Sequence, residues 1–368
     1  MKKVKVLEIG LSYKKGGIEN FLLNIGENIN TDSIQMDFIN TFENAKNEEF
    51  YRKLKKIGKV YDIPDYRKNP IKFYKSMKKI QKNNSYDILH YHMNSAVYLL
   101  PLIVGRLCGI KVIISHSHNS SSDKGLLKNI IHNINKHFIP LFANTYFACS
   151  DLAGQWFFNN KNRSNNYYII NNAIDFEKYQ FNKKTRNNMR AHFKLDDDTI
   201  VIGNVGRFKP QKNHEFIIKT FEKYHSQNKK SKLLLIGTGP LVESSKALVK
   251  KMNIDDSVLF LGERNDVEKI YQAMDVFVLP SIYEGLPLVG VEAQVSGLKC
   301  LFSDTITKEV KISDDSKFIS IKRGVDLWVK EINQGVNQRK TVFDDKFDIR
   351  KNAIRLENIY RDLKEKNG

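Results

Sequence analysis

The sequence predicts an α/β protein built as two domains, and three observations predict it. At 368 residues with 41% hydrophobic content, the chain is long for a single core and apolar enough to bury two. Short β-type runs alternate with helical stretches, the pattern of parallel strands joined by helices. The clearest single unit is strand, loop, helix, strand: an apolar run Val276–Leu279, turn chemistry over residues 280–285, an apolar helix over 287–297, and a second run Lys299–Ser303. Pro287 near the first turn of that helix and Gly297 past its end are the usual start and stop signals.

Taken in order, Val4–Ile9 reads as a strand, followed by a loop holding Gly16 and Gly17 and a helix over residues 18–28. A glycine pair there lets backbone approach a ligand, with helix N–H groups pointing at it. Glu19 reads as a first-turn residue favoured by the helix dipole. Residues 70–83 form a basic amphipathic helix, with Ile71, Tyr74, Met77 and Ile80 on one side and Lys72, Lys75, Lys78, Lys79 and Lys82 elsewhere. It is expected to pack on a sheet with a wet outer face; contact with an anionic leaflet is the alternative. Residues 87–92 and 111–119 are buried strands ending in His90 and His92, and in His116 and His118. Four histidines thus gather at the carboxyl ends of two strands, where parallel sheets place ligands. No Cys or carboxylate pattern accompanies them, so a zinc site is not the expectation.

Residues 124–142 form a second amphipathic helix, with Leu126, Leu127, Ile130, Ile131, Ile134 and Phe138 apolar and Lys128, His132, Lys136 and His137 polar; core packing is the expected use of the apolar side. Strands over residues 146–150 and 167–172 close the first domain. A polar connection with a short helix spans residues 175–198, and its acidic run, Asp196 to Asp198, reads as a cap. The second domain opens with a strand over 200–206 that ends at Gly206, followed by a loop with Arg207 and Lys212. Residues 233–239 feed a glycine turn, Gly237 and Gly239, and residues 258–262 lead into Glu263 and Arg264. A last helix over 349–364 carries Ala353, Leu356, Ile359, Tyr360 and Leu363.

The formal charge of +19 calls for acidic partners, and the run from Arg52 to Lys82 is its densest part. Aromatic residues do not interleave with the basic runs, which argues against nucleic acid. No apolar run reaches the ~18 residues of a membrane span, and the first eleven residues alternate charge with Val, Leu and Ile as a strand does, so the expectation is a cytoplasmic protein. Cys108, Cys149 and Cys300 lie in apolar contexts without metal spacing and read as reduced core thiols.

Glu284 in the loop and Glu292 inside the apolar helix complete the unit. An unpaired carboxylate beside Leu288, Val289, Val291 and Val295 would cost on the order of several kcal/mol, so Glu292 needs donors. The stretch Ser281 to Gly297, SIYEGLPLVGVEAQVSG, with its E-x7-E pair, resembles the signature of retaining glycosyltransferases of family 4. The resemblance implies the GT-B fold: two Rossmann-like doubly wound α/β domains facing a central cleft, with residues 1–175 on the acceptor side, 176–348 binding the nucleotide sugar, and 349–368 crossing back to the first domain. It implies transfer from a nucleotide sugar, UDP preferred, to a lipid-linked saccharide in capsule or exopolysaccharide biosynthesis, at the inner face of the cell membrane.

By the same resemblance Arg207 and Lys212 hold the donor diphosphate, aided by backbone at Gly285, Leu286 and Pro287. Glu284 and Glu292 take sugar and ribose hydroxyls, Gly206, Gly237, Gly239, Glu263 and Arg264 cradle the nucleotide, and Gly16 and Gly17 lie under the diphosphate of the donor or beside the acceptor. His116 or His118 faces the donor sugar, with His90 and His92 on the acceptor side. Loop plus helical rise sets the two glutamates roughly 10 Å apart, too far for a double-displacement pair. Because fixed cations do the work of a metal, no metal or other cofactor is expected. Ala173 stands where the related pattern has glycine. A nucleotide-sugar epimerase and a non-catalytic basic membrane- or nucleic-acid-binding protein are the competing readings.

Overall fold

The computed structural model describes residues 3–13, 16–119, 125–159, 166–334, 339–340 and 342–367. The chain divides into two compact units, Met1–Ala173 with Asp345–Gly368, and Ile174–Asp344.

The first unit is a seven-stranded parallel sheet of β1 (Val4–Ile9), β2 (Ile34–Asn40), β3 (Val60–Asp62), β4 (Ile88–Met93), β5 (Val112–Ser117), β6 (Thr145–Ala148) and β7 (Tyr167–Ile169), in the order β3-β2-β1-β4-β5-β6-β7. Its helices are α1 (Gly17–Asn28), α2 (Glu49–Ile57), α3 (Pro70–Asn84), α4 (Leu100–Leu107), α5 (Leu126–Asn135), α6 (Ile139–Phe142) and α7 (Asp151–Phe157). One face of the sheet is covered by α1, α2 and the C-terminal helix Ile349–Asn367, through Phe21, Leu22, Leu54, Leu356 and Tyr360. The other is covered by α3, α4, α6 and α7, through Phe73, Met77, Leu102, Ile139 and Phe157. Burial on both faces explains why β4 and β5 are buried at every position.

The second unit holds β8 (Ile200–Val205), β9 (Ser231–Ile236), β10 (Val258–Gly262), β11 (Val276–Leu279), β12 (Lys299–Ser303) and β13 (Lys317–Ile319), all parallel, ordered β10-β9-β8-β11-β12-β13. Helices α8 (Phe176–Tyr179), α9 (Lys183–His192), α10 (His214–Gln227), α11 (Val242–Lys251), α12 (Val267–Ala273), α13 (Leu288–Val295) and α14 (Asp326–Asn333) surround it. This is the strand order of a doubly wound nucleotide-binding sheet. The order reverses between β8 and β11, as it does between β1 and β4 in the first unit, and ligands bind at the carboxyl ends of strands at such switch points.

Several expectations change. In α3 the buried residues are Phe73, Met77 and Ile80, while Ile71 is 70% exposed; a one-in-four spacing from Phe73 to Met77 faces the sheet and leaves Ile71 on the wet side. The expected helix over 124–142 is two helices, α5 and α6, with Pro140 in the first turn of α6, and its first residue, Lys124, lies outside the described residues. Most of its apolar side does not pack in the core: Leu126, Leu127, Ile130, Ile134, Phe138 and Leu141 are exposed, Ile139 of α6 is buried, and the buried residue of α5 is His132, stacked on Trp156 at 4.0 Å between ring centroids. Ala173 has no positive φ, so alanine is unstrained there, and its carbonyl accepts from Asn24. Asp198 pairs with Lys230, and the carbonyls of Asp196 and Asp197 serve the guanidinium of Arg190.

Candidate functional site

At the switch point of the second unit, β8 delivers a loop and short 3-10 turn carrying Arg207 and Lys212, and β11 delivers the loop with Glu284. Lys212 Nζ lies 2.6 Å from Glu284 Oε1, with the two side chains only 16% and 10% exposed. Gln211 ties the same loops: its amide donates to Glu284 Oε2 (3.3 Å) and to the Tyr283 carbonyl (3.0 Å), and its own carbonyl accepts from Ile282 N–H (2.8 Å). Arg207 is exposed, and among the described residues no carboxylate lies within ion-pair distance of it.

Glycines let these loops come together. A Cβ on Gly206 would press the Lys212 side chain at 3.2 to 3.4 Å, and one on Gly237, at φ +134°, would sit 2.1 Å from the Gly206 carbonyl oxygen. Gly239 sits against the Phe208 backbone in the same way. Glu292, on α13, accepts from Tyr271 OH at 2.9 Å; burial raises its carboxyl above the usual range, and the phenols of Tyr271 and Tyr179 offset part of that. Donors are therefore present, and they are tyrosines that the pattern of apolar helix residues did not reveal. The N–H groups of Gly285 and Leu286 ahead of α13 have no acceptor among the described residues. Glu263 is exposed, whereas the Arg264 guanidinium is spent on Asp266 in two bonds of 2.8 Å.

In the first unit Gly16 caps α1, and the Glu19 carboxylate accepts from both Ser12 N–H (2.6 Å) and Gly16 N–H (2.8 Å), so Glu19 is a structural cap for the loop. A Cβ at Gly17 would meet nothing within 4 Å. The four histidines lie on the α1 face of the sheet, around Glu8 of β1. His92 Nε2 is 2.7 Å from Glu8 Oε2, and His90 Nδ1 is 2.7 Å from Tyr360 OH, which donates to Glu8 Oε1 at 3.2 Å. His90 Nε2 meets His116 Nδ1 at 2.9 Å, and His92 Nδ1 meets His118 Nε2 at 2.8 Å.

His90 and His116 are fully buried and His92 nearly so; His118 alone of the four is partly exposed. Burial would raise the Glu8 carboxyl, but the charge and hydrogen bonds of His90 and His92 hold it down at about 2. Burial, helped by His90, pushes His92 down to about 4, and burial with the neighbouring rings pushes His116 and His118 well below the ordinary imidazole value. Nitrogens of His90, His92 and His116 lie within 4.8 Å of one another, the spacing of a group that could hold a metal ion. Glu8 was missed by the sequence reading, although a lone acid inside an apolar strand was the signal; Tyr360 read only as one more apolar residue of the last helix.

Two doubly wound parallel sheets, each with chemistry-bearing side chains at its switch point, define the GT-B class. Residues 185–355 match the family described as glycosyl transferases group 1. The chain is 28% identical to the putative glycosyltransferase EpsF of Bacillus subtilis (strain 168), covering 98% of this chain and 97% of that one. It is 26% identical, over 78% of each chain, to the UDP-Gal:alpha-D-GlcNAc-diphosphoundecaprenol alpha-1,3-galactosyltransferase of Escherichia coli. The crystal structure of Anabaena HepE in complex with UDP superposes with a TM-score of 0.74 at 16% identity, covering 99% of both chains. Over residues 185–355 the chain is thus similar to the group 1 glycosyltransferases, and over nearly its whole length it is similar to a putative glycosyltransferase.

Proposed function

We propose that the protein is a retaining glycosyltransferase that moves a sugar from a UDP-sugar to a lipid-linked saccharide in bacterial surface polysaccharide synthesis, with no metal required. The observation that carries this is the Lys212–Glu284 pair in the loops at the carboxyl ends of β8 and β11, with the exposed Arg207 in the same loop as Lys212. Breaking the anomeric bond builds negative charge on the leaving diphosphate, and positioned cations stabilise it most. Arg207 and Lys212 supply them, with the N–H groups of Gly285 and Leu286 and the start of α13 beyond Pro287 adding a partial positive charge. As the diphosphate takes Lys212, Glu284 is released to accept hydroxyls of the donor sugar. Glu292, steadied by Tyr271, accepts those of the ribose, and backbone at Gly237, Gly239, Glu263 and Arg264 lies along the nucleotide.

The E. coli relative, named for a UDP-galactose donor and a diphosphoundecaprenol acceptor, supports both the nucleotide and the lipid-linked acceptor. The exposed apolar residues of α5 and α6, flanked by Lys128 and Lys136, support a peripheral seat on an anionic membrane, where each basic residue adds roughly 1 kcal/mol. Among the described residues no helix is long and apolar enough to cross a membrane. The test is incubation of purified protein with UDP-sugars and a lipid-diphosphate saccharide, with and without chelator. Product with the anomeric configuration of the donor, formed equally in both, is expected; inversion, metal dependence or no transfer from any donor would reject the respective part.

A further inference from the structure

Glu8 and the histidines offer an inference that concerns which ring nitrogen carries a proton. A carboxylate only accepts, so the 2.7 Å contact from Glu8 Oε2 makes His92 Nε2 a donor. A neutral imidazole has one N–H, so His92 Nδ1 is an acceptor, and the 2.8 Å contact there makes His118 Nε2 the donor. His118 Nδ1 is left as a bare lone pair, and it is a buried atom with no hydrogen-bond partner among the described residues. The chain of contacts is rigidly mounted. Gly10, at φ +134°, lets β1 approach β4 so closely that a Cβ there would fall 2.5 Å from the His92 carbonyl oxygen. Phe21 packs against the rings of His92, His116 and His118 at 5.2 to 5.6 Å, and Tyr360 braces the far carboxylate oxygen. His116 ends a similar chain through His90, its Nε2 likewise a buried atom without a partner among the described residues; its ring is wholly buried, whereas the residue His118 is partly exposed, though not at Nδ1.

We infer that Glu8 is a positioning residue: through His92 it holds His118 in the tautomer whose Nδ1 accepts a hydrogen bond from a substrate hydroxyl. The identity of that hydroxyl as a sugar's rests on the proposed glycosyl transfer; the tautomer does not. Glu8→Gln is nearly isosteric, but its amide can donate to His92 Nε2, reversing the chain and placing the proton on His118 Nδ1, so that an acceptor becomes a donor.

Imidazole nitrogen NMR of 15N-histidine-labelled full chain, assigned with His118→Gln, reads the tautomer directly. The wild type should show His118 protonated at Nε2 and bare at Nδ1. Glu8→Gln should move protonation to Nδ1 and lower kcat about 10- to 100-fold with little change in donor KM. Tyr360→Phe, which disturbs the same carboxylate without touching His92, should lower the melting temperature while leaving the tautomer and kcat near wild type. A wild-type His118 protonated at Nδ1, a folded Glu8→Gln with unchanged spectrum and kcat, or stoichiometric zinc on the purified protein would overturn the inference. If the wild type transfers no sugar, the function reading falls, and the spectra alone decide the tautomer.

Discussion

Replacing Lys212 by Met separates what this cation does for the fold from what it does for chemistry. Met keeps the stem that lies against Gly206 and removes the charge. The pair with Glu284 is mostly but not wholly buried, so its loss falls between the ~0–1 kcal/mol of an exposed pair and the ~3–5 kcal/mol of a buried one, about 1–3 kcal/mol. For a unit of this size that is about 2–4 °C of melting temperature per kcal/mol. Most of the cost is the orphaned carboxylate, left with Gln211 alone. Adding Glu284→Gln should therefore recover about 1 kcal/mol or more of stability while transfer stays down by about 100- to 1,000-fold, the scale of a lost electrostatic contact to the leaving group. Differential scanning fluorimetry and a nucleotide-release assay on the two single variants and the double variant read both quantities. A double variant less stable than Lys212→Met, or one that regains turnover, would refute the reasoning.

Three further outcomes follow from the same geometry. Gly237→Ala should cost about 2–4 kcal/mol by chemical denaturation, because its Cβ would strike the Gly206 carbonyl at positive φ, whereas Gly17→Ala, at the open start of α1, should be neutral or stabilising by up to about 1 kcal/mol. Stability should fall as pH drops: His92 is held at about 4 against an ordinary 6.5, so the unfolded chain alone takes up a proton in that window, and about 3 kcal/mol present above pH 6.5 is lost toward pH 4. Glu8, held at about 2 against 4.5, adds a second loss between those values; urea midpoints that stay flat from about pH 7 to 4 would contradict the His92 loss, and midpoints flat from about pH 4.5 to 2 the Glu8 loss. Leu127→Glu with Ile134→Glu should abolish sedimentation with anionic vesicles without altering the melting temperature, because both side chains are already exposed; retained binding would move the membrane seat elsewhere.

The alternation of apolar runs and helices made the central strands of both sheets legible, since strands buried on both faces need continuous apolar residues and the loops between them carry Gly and Pro; β2, whose run is broken by Gln35 and Asp37, and the three-residue edge strands β3 and β13 were not read. The Ser281 to Gly297 stretch was legible as well, because turn, proline and paired acids sit within one short segment. Long-range partners were not. Glu292 is served by Tyr271, twenty-one positions earlier, and Lys212 meets Glu284 across two strands; sequence spacing carries no register between strands that pair across the switch point. The α5 face misled for a different reason. Amphipathic periodicity shows that a helix has an apolar side, and leaves open whether protein covers it; His132, polar by type, took the buried place by stacking on Trp156.

The central claim is that Arg207 and Lys212 hold the diphosphate of the donor, and calorimetric titration with UDP and UMP tests it most directly. The account predicts that UDP binds the wild type more tightly than UMP, and that Arg207→Ala and Lys212→Met each shrink that preference by about 10- to 100-fold, the worth of a charge-assisted contact. Equal affinity for UDP and UMP in the wild type, or a preference that both variants keep in full, would contradict it.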